Sequence, residues 1–357
     1  MHDFATRLLA WRRRFGRRGL PWQGTRDPYR VWLSEIMLQQ TQVATVTPYY
    51  QRFVARFPTL QRLANARLSQ VMPYWSGLGY YARVRNLHAC ARRLVGDHGG
   101  KFPRSASELA MLPGIGRSTA AAISAFCNNE RAAICDGNVK RVLARYFAID
   151  GDTRSSAIER RLWAQAQRLL PPARSMPAYT QAMMDLGATV CLRRAPTCAA
   201  CPLQPTCKAF CEGRVDELPV RRAARPTPIR KAHLLVVMHG GAVLLQRRPP
   251  SGIWGGLLSL PQFASRAQLR SALAAIGDAH LRMLPERRHA FTHLTLDFMP
   301  HLAIIDRRRP QTTEAGAVWW PLLRLESAAL PAPVRRLLRE LHSGSIRSAT
   351  RKRDTML

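Results

Sequence analysis

Two carboxylates and four cysteines supply most of the chemistry available to this sequence. Glu35 stands in WLSEIMLQQTQV, among Trp32, Leu33, Ile36, Met37 and Leu38. A carboxylate with apolar neighbours on both sides is either the solvated edge of a helix or a partly buried acid that keeps its proton to higher pH. In the second form it can protonate a leaving group near neutral pH. Asp136 opens DGNVKR, at the end of the stretch Leu112 to Arg141. It is a good N-cap for a helix carrying Val139, Val142 and Leu143, and capping is compatible with catalysis. Cys191, Cys198, Cys201 and Cys207 form C-x6-C-x2-C-x5-C, tight enough for four thiolates to converge on a metal from one loop. Zinc and a [4Fe–4S] cluster both satisfy that spacing, and Cys211 is a spare that could shift the register.

Such groups need elements to position them. Pro113, Gly114 and Gly116 break an apolar helical pattern that a small-residue run, Ser118 to Ala125, then restarts, so two helices should meet at a tight hairpin. Glycines there let backbone N–H groups approach a DNA phosphate, and the restarted helix aims its positive dipole end at the same anion. An ordinary helical corner would read the same way. Asp27-Pro28 pairs a cap with proline at the first helical position, which predicts a helix to about Val46 with Gln39 one turn beyond Glu35 and Gln40 beside it. GLGYYARVRN, Gly77 to Asn86, sets two tyrosines between glycines and arginines, able to stack on bases or simply to fill a core.

Lys plus Arg number 55 against 22 Asp plus Glu, a net charge of +33. An Arg-rich genome would account for part of this, but so large an excess implies an anionic polymer partner, and nucleic acid is the one expected. Five of the eight cysteines fall between 191 and 211 while Cys90, Cys127 and Cys135 sit singly in apolar settings, which describes a metal loop and core thiols, not a disulfide framework. There is no apolar run of about 20 residues and no secretory-signal order at the N-terminus, so the reading is no membrane partner and a bacterial-type cytosol, on the chromosome.

Residues 1–212 read as all-helical, including the cysteine loop 191–207. A polar, Pro- and Arg-rich segment, 213–230, reads as a linker. The period then changes: HLLVVMHGGAVLLQRRP suggests a hairpin around Gly240-Gly241, and HAFTHLTLDFMPHLAII alternates like further strands. Residues 231–343 are therefore expected to form an α+β domain ending in a helix near Ala332 to His342, followed by a basic, disordered tail, 344–357. A monomer is the default.

Taken together, LPWQGTRDPYRVWLSEIMLQQTQV, GLGYYARVRNL, LPGIGRSTAAAI, DGNVKRVLAR, AMMDLGATVC and the cysteine spacing resemble adenine DNA glycosylases of the MutY type, within the helix-hairpin-helix superfamily, over almost the whole chain. The resemblance implies one [4Fe–4S] cluster on the four cysteines. It implies removal of adenine mispaired with 8-oxoguanine or guanine in double-stranded DNA, leaving an abasic site. Glu35 matches the residue that protonates adenine N7, and Asp136 the one that stabilises the oxocarbenium-like sugar. By the same carry-over, Gln40 and Tyr80 fill the gap left by the flipped base, Trp22 and Gln181 line the adenine pocket, and the amides of Gly114, Gly116 and Ser118 hold phosphates.

Where endonuclease III-like lyases carry a Schiff-base lysine this chain has Ser118, which implies a monofunctional glycosylase. The C-terminal region resembles a Nudix-like domain, yet LLSLPQFASRAQLRSALAAIG after Gly255-Gly256 has none of the carboxylates that hold magnesium in a Nudix hydrolase. It should be a reader, with Phe291, Thr292 and His293 in the place of a Phe-Ser-His loop that recognises 8-oxoguanine. The competing readings are a bifunctional lyase, opposed by Ser118 and the extra domain, and a catalytically silent DNA-binding module, opposed by the presence of both Glu35 and Asp136.

Overall fold

The computed structural model describes residues 2–220, 226–276, 279–291, 293–307 and 316–345. Helices fill the chain through the cysteine loop: α1 (His2–Phe15), α2 (Pro28–Leu38), α3 (Val43–Arg56), α4 (Leu60–Asn65), α5 (Leu68–Trp75), α6 (Ala82–Asp97), α7 (Ala106–Leu109), α8 (Arg117–Asn128), α9 (Gly137–Tyr146), α10 (Ser156–Arg168), α11 (Met176–Thr189) and α12 (Lys208–Cys211). Strands β1 (Ile229–His239), β2 (Ala242–Arg247), β3 (Leu258–Ser259) and β4 (Gln262–Phe263) follow, then α13 (Arg266–Ile276), β5 (Leu281–Met283), β6 (Arg287–Ala290), β7 (Thr295–Ile304), β8 (Ala317–Pro321) and α14 (Ala332–His342).

The expected cap holds at α2, where the Asp27 carboxylate accepts from the Tyr29 N–H at 2.9 Å and Pro28 takes the first position. The expected length does not: α2 ends at Leu38 and α3 begins afresh at Val43. Gln40 adopts a left-handed φ of 56°, which no continuing helix allows, and the Gln39 amide is drawn away to the Thr119 hydroxyl at 3.3 Å. A side-chain bond across 80 residues overrides local periodicity.

Two units result: Met1–Ala66 with Arg85–Ala224, and Arg67–Val84 with Arg225–Leu357. The helical unit has a core in which Phe4 and Leu8 of α1, Ala125 of α8, Val139 and Leu143 of α9, Leu162 of α10 and Leu186 of α11 pack together. Alanines on α8 let its neighbours approach closely, which suits an element that must sit at the centre of a site.

In the second unit β1 and β7 run parallel through ten paired positions, from Ile229 against Thr295 to Met238 against Ile304. The sheet order is β3-β2-β1-β7-β5, with β4 on β1, β6 on β7 and β8 on β2, all antiparallel except the central pair. Gly240 and Gly241, with φ of 51° and 74°, make the two-residue turn between β1 and β2 that only such residues make without strain. Helix α13 covers one face through Leu269, Leu273 and Ile276.

Residues 67–84, which the sequence places with the helical domain, group here with the sheet. Ser76 donates to the Leu330 carbonyl at 2.7 Å, and Arg335 on α14 donates to the Ser76 hydroxyl at 2.9 Å and to the Ala328 carbonyl at 2.7 Å. The bonds to Ser76 link positions 254 and 259 residues apart, beyond the reach of any pattern in a sequence window. The expected tail lies outside the described residues from 346 on, as do 221–225 of the linker.

Candidate active site and cysteine loop

Glu35 projects from α2 into a cavity of about 320 Å³ whose walls include Trp22, Arg17, Leu38, Phe126 and Gln181. That volume falls at the small end of ligand pockets. The Glu35 carboxyl accepts no hydrogen bond from the described residues. Burial therefore pushes its pKa up, to about 8, and the negative charge of Asp136 pushes in the same direction. At neutral pH the group holds a proton that it can deliver. Of the other sequence-nominated wall residues, Trp22 is buried and held edge-on to Tyr50, with ring centroids 5.2 Å apart. Gln181 is buried too, its amide nitrogen donating to Asp185 Oδ1 at 2.8 Å.

Asp136 does not line this cavity. It sits at the N-cap of α9, where Oδ1 accepts from the N–H groups of Asn138 and Val139, both at 2.9 Å. Oδ2 accepts nothing from the described residues, so one oxygen caps the helix while the other is free to face a positive charge. The loop that places it is fastened from α8: Ser118 Oγ accepts the Cys135 N–H at 3.0 Å. Ser118 thus holds the carboxylate's own chain, a role that its type and position do not reveal.

The hairpin forms as expected, though its first helix, α7, is a single turn capped by Ser105 and Glu108. Gly116 is the N-cap of α8 and offers no side chain, which leaves the first N–H groups of the helix open to an anion. Gly114 has φ of 77°, and a Cβ there would lie 2.7 Å from Asn86 Cβ. Gly114→Ala is therefore expected to cost about 1–3 kcal/mol of stability and to weaken binding to undamaged duplex, read by thermal melting and by fluorescence anisotropy.

Residues 33–168 match the HhH-GPD superfamily of base excision DNA repair proteins, and 232–340 match the NUDIX domain. Over 341 residues the chain is 36% identical to the adenine DNA glycosylase of Buchnera aphidicola subsp. Baizongia pistaciae, covering 95% of this chain and 96% of that one. The chain belongs to the adenine DNA glycosylase family. The human adenine DNA glycosylase is 34% identical over 402 residues, 94% of this chain and 73% of its own length. A solved thermostable thymine-DNA glycosylase superposes with a TM-score of 0.53 at 28% identity, over 58% of this chain and 95% of that one. The molecule is thus a DNA-binding N-glycosylase of base excision repair, of the MutY type, with a Nudix-like second domain. No helix among the described residues is long and apolar enough to cross a membrane.

In this glycosylase the four expected cysteines, Cys191, Cys198, Cys201 and Cys207, line one pocket together with Val142, Leu186, Val190 and Phe210. Cys211 is exposed and lies outside it. Two arginines of α9 fasten the loop. Arg145, buried, donates to Cys191 Sγ at 3.3 Å and to the Leu192 and Leu218 carbonyls at 2.7 and 2.8 Å. Arg141 donates to the Cys191 carbonyl at 2.8 Å and to Asn138 Oδ1 at 2.9 Å. Sequence reading takes in both arginines inside DGNVKRVLAR without assigning them; only their one-turn spacing on α9 hints at a shared face.

Gln40 is exposed and in the left-handed region. Tyr80, 43% exposed, has φ of 47°, and Arg83 lies over its ring at 5.6 Å. A backbone strained at two such residues is a frequent mark of a functional contact. In the second unit Phe291 is part of an aromatic column: His289 meets it edge-on at 4.6 Å, Trp254 lies at 6.0 Å and His293 at 6.1 Å. Thr292 lies outside the described residues. Helix α13 contains no Asp or Glu, so the magnesium-binding acids of a Nudix hydrolase are missing from it.

Proposed function

We propose that this glycosylase hydrolyses the N-glycosidic bond of adenine mispaired with 8-oxoguanine or guanine in duplex DNA, leaving an abasic site. The observation that carries the reading is Glu35, kept protonated to about pH 8 in a cavity that Trp22 and Gln181 also line. With adenine flipped into that cavity, the Glu35 proton moves to the base nitrogen N7 as the C1′–N9 bond breaks and its electron pair leaves with the base. Positive charge gathers on the sugar, and the free Oδ2 of Asp136 stabilises it. Water then adds at C1′, and ionised Glu35 takes the proton that the water gives up. Ser118 has no amine to form a Schiff base, so the reaction stops at the abasic site.

Gln40 and Tyr80 occupy the space beside the orphaned partner base, and the amides of Gly114, Gly116 and Ser118 hold backbone phosphates. Phe291 and His293, with Thr292, read 8-oxoguanine. Cys191, Cys198, Cys201 and Cys207 hold one [4Fe–4S] cluster, which clips the loop and its basic residues into shape. Two observations support the fit: the four thiols share one largely apolar pocket, and Arg145 donates a hydrogen bond to Cys191 Sγ there, as neighbours of a ligand sulfur do. The enzyme acts as a monomer on the bacterial nucleoid.

The test is single-turnover base release from duplexes holding adenine opposite 8-oxoguanine, guanine or thymine, each with and without alkali. Alkali-dependent cleavage at adenine in the first two only is expected. Strand cleavage without alkali would instead make it a lyase, and no cleavage anywhere a silent binder.

A further inference from the structure

Asp185 is a fully inaccessible carboxylate beside the cavity, and its type and position in the sequence do not nominate it. Its side chain is wholly buried on α11, one turn beyond Gln181. Oδ1 accepts from Arg17 Nε at 2.8 Å and from Gln181 Nε2 at 2.8 Å, while Oδ2 accepts the Arg17 N–H at 3.1 Å. The backbone closes over it at Gly16, where an added Cβ would stand 2.6 Å from Arg12 Cγ and 3.2 Å from Asp185 Oδ2. A carboxylate flanked by a guanidinium and a backbone N–H accepts and does not donate. Whichever end of the Gln181 amide faces it must therefore be the NH2 group. The opposite end, Oε1, accepts no hydrogen bond from the described residues and belongs to a side chain of the cavity wall.

We propose that Asp185, clamped by Arg17, is a positioning residue that fixes the Gln181 amide with its oxygen toward the bound base, so that the pocket selects a purine with an exocyclic amine. Adenine offers an N–H donor at its 6-position, which Oε1 accepts. Hypoxanthine and guanine present a carbonyl oxygen there, and two acceptors face to face leave both unpaired in a desolvated site. An amide free to rotate would accommodate either base. Orientation, and not the mere presence of glutamine, sets the preference. The inference rests on the reading of this cavity as an adenine pocket.

The experiment compares single-turnover release of adenine and hypoxanthine, each opposite 8-oxoguanine, by the full-length wild type, by Asp185→Asn and by the exchange pair Asp185→Asn with Gln181→Glu. In the single variant the new NH2 meets an Arg17 donor whichever way the amide turns, so the clamp slackens and Gln181 is freed to rotate, and the adenine to hypoxanthine rate ratio should fall by roughly ten- to hundredfold. The exchange pair conserves charge and shape and leaves only acceptors at 181, so the ratio should return to within several-fold of wild type. Asp185→Asn that folds and keeps the wild-type ratio overturns the proposal. Should that variant not fold, a folded exchange pair decides: a restored ratio upholds the proposal and a collapsed one overturns it. A wild type that releases no adenine would sink the adenine reading itself, whereas adenine release with an unmoved ratio sinks only the role of Asp185.

Discussion

Glu35→Gln should reduce adenine release by roughly 10²–10⁴-fold while leaving duplex affinity within a few-fold of wild type. Glutamine keeps the shape and the polarity of the side chain and removes only the transferable proton. The pH profile gives a second, independent reading of the same group. Wild-type single-turnover rates should be level on the acid side and fall about tenfold per unit as pH rises above about 8, because in the proposed mechanism the protonated form is the working one. The linked stability has a definite sign. The carboxyl pKa is raised from an ordinary 4.5 to about 8 on folding, so between those values the folded state holds a proton that the unfolded chain has lost, and stability declines as pH rises across that window. Glutamine has no such term. The variant should therefore melt above wild type at pH 8, by up to roughly 3 kcal/mol after allowance for the partial exposure of Glu35, and the two should converge near pH 4.5. Activity lost together with stability gained, in one substitution, distinguishes a strained catalytic acid from an ordinary surface glutamate. Calorimetry across that pH range, run beside the kinetics, checks both halves.

Local chemistry is the legible part of this molecule. Asp27 and Asp136 cap their helices because a short acidic side chain reaches the second and third N–H groups of whatever helix follows it. Gly240 and Gly241 turn because both positions need a left-handed backbone. Glu35 is conspicuous because charge is rare among apolar neighbours, and its environment proves to be of the kind that raises a carboxyl pKa. The illegible part is long-range. Gln40 ends α2 early, Ser118 grips the backbone at Cys135, and Ser76 bonds to Leu330, the last two through side-chain contacts between distant segments. Asp185 falls between these cases. Its four-residue spacing from Gln181 is visible in QAMMD, but its ion pair with Arg17 across 168 residues is not. The carboxylate of this pair is wholly buried and the guanidinium only partly so, and leaving the buried member unpaired would be strongly destabilising, but the identity of its partner comes only from the fold.

On the proposed mechanism Asp136 serves two ends at once, and comparing asparagine with alanine there separates them. Oδ1 caps α9 and Oδ2 is the free anionic oxygen. Asp136→Asn keeps a carbonyl oxygen for the Asn138 and Val139 N–H groups, so stability should change by less than about 0.5 kcal/mol. The group proposed to face the sugar, however, becomes an uncharged amide. Base release should fall by at least roughly 10²–10³-fold, the usual loss when a preorganised group that stabilises transition-state charge is removed. Asp136→Ala should show the same kinetic loss and, in addition, about 1 kcal/mol of destabilisation from the uncapped helix. Loss of the negative charge must also act on Glu35, whose raised pKa owes its second contribution to Asp136. In the residual activity of both variants the alkaline limb should therefore move to lower pH. Each outcome answers a different question. Equal stability losses for the two variants would deny the cap, and an asparagine variant with near wild-type turnover would deny the charge. An alkaline limb that stays in place would mean that the two carboxylates do not sense each other, and the division of labour between a protonated acid and an ionised partner would fail with it.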